Sequence, residues 1–145
     1  YGDVLFNKYI PQSLCQETDD CVIFVDSNWQ EQSSYARLGG FAECTIPNSR
    51  RAFNAKIYLK QLGNDIPKAS IHGVWMGFLK VSPSAAGHIT GVIAEILAKP
   101  ANRKADIPQL LQELLKRQYP VRVLYTAGHW RDINSLDDVV QAGNF

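Results

Sequence analysis

The apolar positions of this chain fall into runs whose spacing changes from helical to extended and back. Leu5, Phe6, Tyr9, Ile10 and Leu14 recur at helical spacing, which predicts a helix over residues 4–16. Pro11 should kink or restart it, because proline removes a backbone donor. Cys21-Val22-Ile23-Phe24-Val25 is a continuous apolar run between polar residues, the pattern of a buried parallel strand ended by Asp26 and Ser27. Residues 28–40 are polar, finish in Gly39-Gly40 and read as a loop.

Two weaker strand signals follow, over residues 41–46 and 55–59, with Pro47-Asn48-Ser49 as the turn between them. Gly73 to Val81 is a stronger strand, and it stops at Ser82-Pro83. That pair also opens a helix, with serine as cap and proline at the first helical position. The apolar stripe of this helix is Ile89, Val92, Ile93, Ile96 and Leu97, and Pro100 closes it. Asp106-Ile107-Pro108-Gln109 begins another helix with a capping-box pattern. Its stripe is Ile107, Leu110, Leu111, Leu114 and Leu115. A strand over residues 121–126 and a short last helix complete the series. Ser135 should cap that helix, with Leu136, Val139 and Val140 facing inward and Gly143 at its end. Helices alternating with buried strands indicate an α/β protein, and 145 residues fit a single domain, 1–145, with a real core.

Composition narrows the function. A net charge of +1 provides no global field to attract nucleic acid or an anionic membrane. No apolar run approaches the roughly 20 residues that span a bilayer. Cys15, Cys21 and Cys44 are odd in number and form no CxxC pair, which argues against a disulfide framework or a zinc site. Buried, reduced thiols in a cytoplasmic protein are the expectation. The chain opens Tyr1-Gly2-Asp3 without methionine, as if cut from something longer.

Several chemistries lack their motifs. There is no GxGxxG or GxxxxGK[ST] loop for phosphates and no G-x-S-x-G elbow for a nucleophilic serine. What remains is carboxylate chemistry, centred on Asp3 and on Asp132, which follows His129, Trp130 and Arg131 just past a strand end. If the two junctions meet, two carboxylates face one pocket. A hard cation with phosphate oxygens would then suit it, since Mg2+ typically takes only one or two carboxylates. Each residue also has a plainer reading. Asp132 could cap the last helix or pair with Arg131 or Arg103, and Asp3 could be a favourable helix-start charge. Asp26 ends a strand and could look towards the pocket or equally be turn chemistry, Arg50-Arg51 could meet a phosphate or be a solvated basic turn, and His88 could sit on a solvated or partly buried helix face. Trp75 could be core packing, while His129 and Trp130 could orient the loop.

Four segments in order, "YGDVLFNKYI", "CVIFVDSNW", "IHGVWMGFLKVS" and "GHWRDINSLDDVVQAG", resemble the nucleotidyltransferase family of phosphocholine and sugar-phosphate nucleotidyltransferases. They are most similar to the phosphonate cytidylyltransferases often fused to phosphoenolpyruvate mutase domains. The resemblance covers nearly all of the chain. It implies a Rossmann-like mixed sheet flanked by helices, the C-terminal part of a nucleotide-diphospho-sugar transferase-type fold. It also implies a Mg2+ site at Asp3 and Asp132, and an acceptor side formed by Trp75, His72 and Trp130. The implied reaction transfers a nucleotidyl group, CMP from CTP, to a small phosphorylated or phosphonylated acceptor and releases pyrophosphate.

The chain departs from that pattern twice. Val74 stands where relatives often carry an acidic residue, and the glycine-rich nucleotide-binding half that precedes the "YGD" segment is absent from the sequence. The chain is therefore expected to be inactive alone and to self-associate through bare sheet edges. Two other readings are a non-catalytic α/β module that keeps the fold for binding or regulation, and an unrelated α/β domain.

Overall fold

The computed structural model describes residues 4–31, 40–52, 55–102, 104–133 and 135–143. Seven strands and four helices are formed among them. In chain order they are β1 (Val4–Phe6), α1 (Tyr9–Gln16), β2 (Cys21–Asp26), β3 (Phe41–Cys44), β4 (Ile57–Leu62), β5 (Gly73–Val81), α2 (Pro83–Leu97), α3 (Ile107–Lys116), β6 (Arg122–Thr126), β7 (Trp130–Asp132) and α4 (Leu136–Ala142). The protein is thus mixed α/β. No helix among the described residues is long and apolar enough to cross a membrane.

Five strands close on themselves in the order β2-β5-β3-β4-β6. β2 is parallel to β6, with Val22 beside Arg122 and Asp26 beside Thr126, and antiparallel to β5. The remaining neighbours in the ring are all antiparallel. A closed sheet leaves no edge strand, so the bare edges expected from the sequence do not occur in it. The other sheet is a two-stranded ribbon of β1 and β7.

The continuous apolar run of β2 has a direct cause: it is covered on both faces. Cys21, Ile23 and Val25 point into one cluster with Trp75, Val123, Ile89, Val92, Leu110, Leu111 and Leu114, which lies under α2 and α3. Val22 and Phe24 point the other way, into a second cluster with Val74, Met76, Ile10, Leu14 and Trp130 under α1. The period-2 alternation of a strand sorts them. Along β5 a bulge interrupts the register, because Ile23 faces Leu79 while Val25 faces Trp75. Gly77, with φ of 85°, takes the left-handed turn that this bulge requires.

The capping signals are realised. Ser82 Oγ accepts from the Ala85 amide at 3.1 Å, and Pro83 begins α2. The Asp106 and Gln109 side chains form a reciprocal capping box at the start of α3. The Asp20 carboxylate accepts from the Ser82 and Ser84 hydroxyls, tying the entry of β2 to the start of α2. Those bonds, that of Ser82 foremost, hold its pKa below the ordinary carboxylate range.

Other expectations are corrected. Residues 4–6 are a strand, not the first turn of a helix, because they pair with β7; the helix begins only at Tyr9. Pro11 then falls in its first turn, where no intrahelical donor is lost. Residues 130–132, expected as loop, form the partner strand. Leu136, Val139 and Val140 do not face inward: they are 84%, 54% and 74% exposed. Ile93 and Leu97 of α2 are also exposed, on the rim of a groove of about 290 Å3 that Ile96, Ile107 and Leu110 help to line. Most of the expected loop over residues 28–40 lies outside the described residues.

All three thiols are free, but Cys15 is exposed while Cys21 and Cys44 are buried. Desolvation pushes the last two up to about 11. Thiol reagents attack the thiolate, so at pH 8 the folded protein should react rapidly at one cysteine and the denatured protein at all three, as a native-versus-denatured thiol titration will show. Gly73 allows the closest strand approach. A Cβ there would lie 2.5 Å from the Asp26 carbonyl oxygen and would collide with the Val25 side chain. Gly73→Ala should cost about 1–3 kcal/mol, read as a lowered midpoint in chemical denaturation.

Candidate functional site

The parallel strands β2 and β6 end side by side at Asp26 and Thr126, and the loop from Ala127 to His129 leads from there to β7. Ligands of α/β proteins gather beyond the carboxyl ends of parallel strands. The site is therefore built from what those two ends hold.

Asp26 is 1% exposed. Its Oδ1 accepts from the Asn28 amide at 2.9 Å and from the Gly128 amide at 3.0 Å, and its Oδ2 accepts from Trp130 Nε1 at 2.8 Å. Three donors on two oxygens satisfy a buried carboxylate, which would otherwise be costly. Asp26 thus ties its own turn to the β6–β7 loop and to the first residue of β7. The indole of Trp130, 3% exposed, fills the second apolar cluster, so its ring is held by packing and its nitrogen by charge.

A second set of bonds grips the same loop from α1. The Tyr9 hydroxyl lies 2.6 Å from Thr126 Oγ1 and 3.1 Å from His129 Nδ1, and the two rings meet edge to face at 5.6 Å. Thr126 Oγ1 donates to the Gly128 carbonyl at 3.0 Å, and the Asn7 amide donates to the His129 carbonyl at 3.0 Å. The loop needs this grip. Gly128 and His129 are consecutive residues at positive φ, 75° and 64°, and a non-glycine residue there is held against its own preference.

Beyond the loop, β7 runs antiparallel to β1, with Trp130 opposite Phe6, Arg131 opposite Leu5 and Asp132 opposite Val4. Asp3 itself lies outside the described residues, as does Arg103; Val4, which follows Asp3 in the chain, is the register partner of Asp132. Strand alternation places Asp132 on the ribbon face of Trp130. Asp132 is partly exposed.

The other candidates are distributed differently. Trp75 is 4% exposed, belongs to the first cluster and donates from Nε1 to the Phe78 carbonyl at 2.9 Å. It lies on the opposite face of the sheet from Trp130. His72, half-buried, accepts at Nδ1 from the Cys44 amide at 3.1 Å just before β5. Val74 is fully buried and pairs with Asp26 across β2 and β5. Arg50 sits in a single 3-10 turn, and His88 stacks on Tyr119 with ring centres 5.0 Å apart.

The structure thus brings Trp130 and Asp132 together with the strand that follows Asp3, and sets Trp75 and His72 elsewhere. Sequence reasoning weighed Asp26 equally as a pocket-facing strand end and as a turn residue, and did not single out Tyr9 or Thr126. The only signal was a carboxylate closing an apolar run. Among the described residues, no three His, Cys, Asp or Glu side chains are grouped to hold a metal ion. The chain matches no family model and no curated protein.

Tyr9→Phe keeps the ring and removes both hydroxyl bonds. A net hydrogen bond contributes about 1 kcal/mol. The variant should therefore lose about 1–2 kcal/mol of stability by chemical denaturation, and the His129 ring resonances should move in its NMR spectrum at fixed pH.

Proposed function

We propose that this chain is the metal- and acceptor-binding part of a Mg2+-dependent nucleotidyltransferase, with CTP as donor and a small phosphorylated or phosphonylated molecule as acceptor. One observation carries the reading: the β1–β7 register runs the strand after Asp3 against the strand that ends in Asp132. A carboxylate at that junction suits a hard cation, because Mg2+ commonly takes only one or two protein carboxylates and completes its octahedron with phosphate and water.

In this reading an acceptor oxygen bonds to the α-phosphorus of the triphosphate, the bond to the bridging oxygen breaks, and pyrophosphate leaves with its electron pair. As the resemblance implies, Asp3 and Asp132 would hold Mg2+, which would supply charge neutralisation on the phosphates. The buried indole of Trp130 fixes the strand that carries Asp132. His72 and Trp75, beside and on β5, lie away from this junction and hydrogen-bond backbone groups, so the acceptor-side role proposed for them rests on the resemblance alone.

The finer account of the sheet as Rossmann-like belongs to the same proposal. Its support is the parallel β2–β6 pair at whose ends the site lies. We also place the protein in the cytoplasm, in keeping with its free thiols. Self-association, if the chain is studied alone, would use exposed apolar side chains such as Leu136 and Val140 or the edges of the β1–β7 ribbon.

The test is Mn2+ binding followed by water-proton relaxation. Asp3→Asn and Asp132→Asn should each weaken binding about tenfold or more, and unchanged affinity in both would overturn the site. In a polypeptide that also carries a glycine-rich nucleotide loop, Asp132→Asn should reduce CTP-dependent pyrophosphate release about 100-fold or more.

A further inference from the structure

We infer that His129 is the proton acceptor of a site beyond the carboxyl ends of β2 and β6: its Nδ1 carries the ring proton against Tyr9, and its bare Nε2 takes the proton of a ligand hydroxyl. This goes beyond the reading given under Proposed function and stands on a chain of hydrogen bonds; no cation takes part in it.

The chain has a direction, set by the number of protons available. Three contacts join four groups: His129 Nδ1 to the Tyr9 hydroxyl at 3.1 Å, that hydroxyl to Thr126 Oγ1 at 2.6 Å, and Thr126 Oγ1 to the Gly128 carbonyl at 3.0 Å. A carbonyl oxygen only accepts, so the single hydroxyl proton of Thr126 goes to Gly128. The Tyr9 hydroxyl then gives its own proton to Thr126 Oγ1. What it has left for His129 is a lone pair, so the proton in that contact comes from Nδ1. With one proton per bond the chain runs in one sense only, and a neutral imidazole protonated at Nδ1 has its lone pair at Nε2.

His72 supplies the contrast. Its Nδ1 accepts from the Cys44 amide at 3.1 Å, so its neutral ring carries the proton on Nε2. The two histidines are opposite tautomers, and His129 alone of the pair turns a bare Nε2 outward.

The surroundings make that nitrogen usable. His129 is exposed, and its Nε2 has no hydrogen-bond partner among the described residues. The Tyr9 ring meets its ring edge to face, and the backbone holds it at a φ of 64° after Gly128. It stands where the parallel strands β2 and β6 end, the place where α/β proteins receive ligands. A hydroxyl set against Nε2 loses its proton to the nitrogen lone pair. The electron pair of the broken O–H bond stays on the oxygen, which becomes the nucleophile. The ring becomes an imidazolium whose other proton stays on Nδ1, facing Tyr9.

The tautomers are read by 15N NMR of the imidazole rings at about pH 8.5, above the ordinary histidine range. His129 should be protonated on Nδ1 and His72 on Nε2. Thr126→Val keeps the shape of the side chain and removes the acceptor of the Tyr9 proton. That proton then turns to Nδ1, and His129 should flip to the Nε2–H form. Tyr9→Phe should release the ring to exchange between the two forms. The base itself is probed with 4-nitrophenyl acetate, whose hydrolysis imidazole speeds by taking a proton from the attacking water. His129→Gln should lose a part of the rate that is slowed in D2O, and Thr126→Val should lose the same part. A wild-type His129 protonated on Nε2 would overturn the inference, and so would an unchanged ester rate in His129→Gln. A flipped ring with the full rate in Thr126→Val would also overturn it. If Thr126→Val does not fold, Tyr9→Phe decides: a ring still fixed as Nδ1–H there would show that the chain does not set it.

Discussion

The Asp26 carboxylate ties the end of β2 to its own turn, to the β6–β7 loop and to the first residue of β7. It closes β2, receives the amide of its own turn, and receives both the Gly128 amide and the Trp130 indole from the far end of the chain. Burying a charge this deeply is unfavourable unless every lone pair finds a donor. Here the donors are backbone groups and an indole that themselves need acceptors, so the burial and the loop geometry require each other. The strained pair Gly128–His129 persists because this carboxylate on one side and Tyr9 on the other over-determine it.

That constraint also explains the arrangement of the two apolar clusters. β2 is buried on both faces because α2 and α3 cover one and α1 with Trp130 cover the other. The cover on the second face is incomplete without Trp130, whose ring is delivered by the loop that Asp26 organises. Packing and polar satisfaction are therefore one arrangement at this end of the sheet. Gly73 contributes by letting β5 pass close to the Asp26 backbone, where any side chain would intrude.

What was legible in the sequence was what local chemistry decides. Ser82-Pro83 and Asp106-Ile107-Pro108-Gln109 announce helix starts because capping involves residues two or three apart, and both helices start there. The run Cys21 to Val25 announced a buried strand parallel to another, and β2 lies beside β6. The strands β1 and β7 were not legible. Three residues carry no periodicity, and each is extended only because the other, more than a hundred positions away, pairs with it. The inward face expected for Leu136, Val139 and Val140 failed for a related reason: helical spacing of apolar residues shows which side is apolar, not whether anything lies against it. Asp132 was singled out by its neighbours in sequence. Asp26, whose partners lie in another part of the chain, was not.

The contrast between β2 and the ribbon has a consequence for how the molecule opens. β2 is hydrogen-bonded on both sides and covered on both faces, so its amides belong to the part of a protein that exchanges with solvent only when the whole domain unfolds. The ribbon of β1 and β7 has one hydrogen-bonded neighbour per strand and three residues in each, so it can detach at far lower free energy. Asp26 stands in the most protected element and Asp132 in one of the least. The bond between Asp26 and Trp130, with the packed indole ring beside it, joins these two regimes, so the ribbon opens by withdrawing that ring while the closed sheet stays intact.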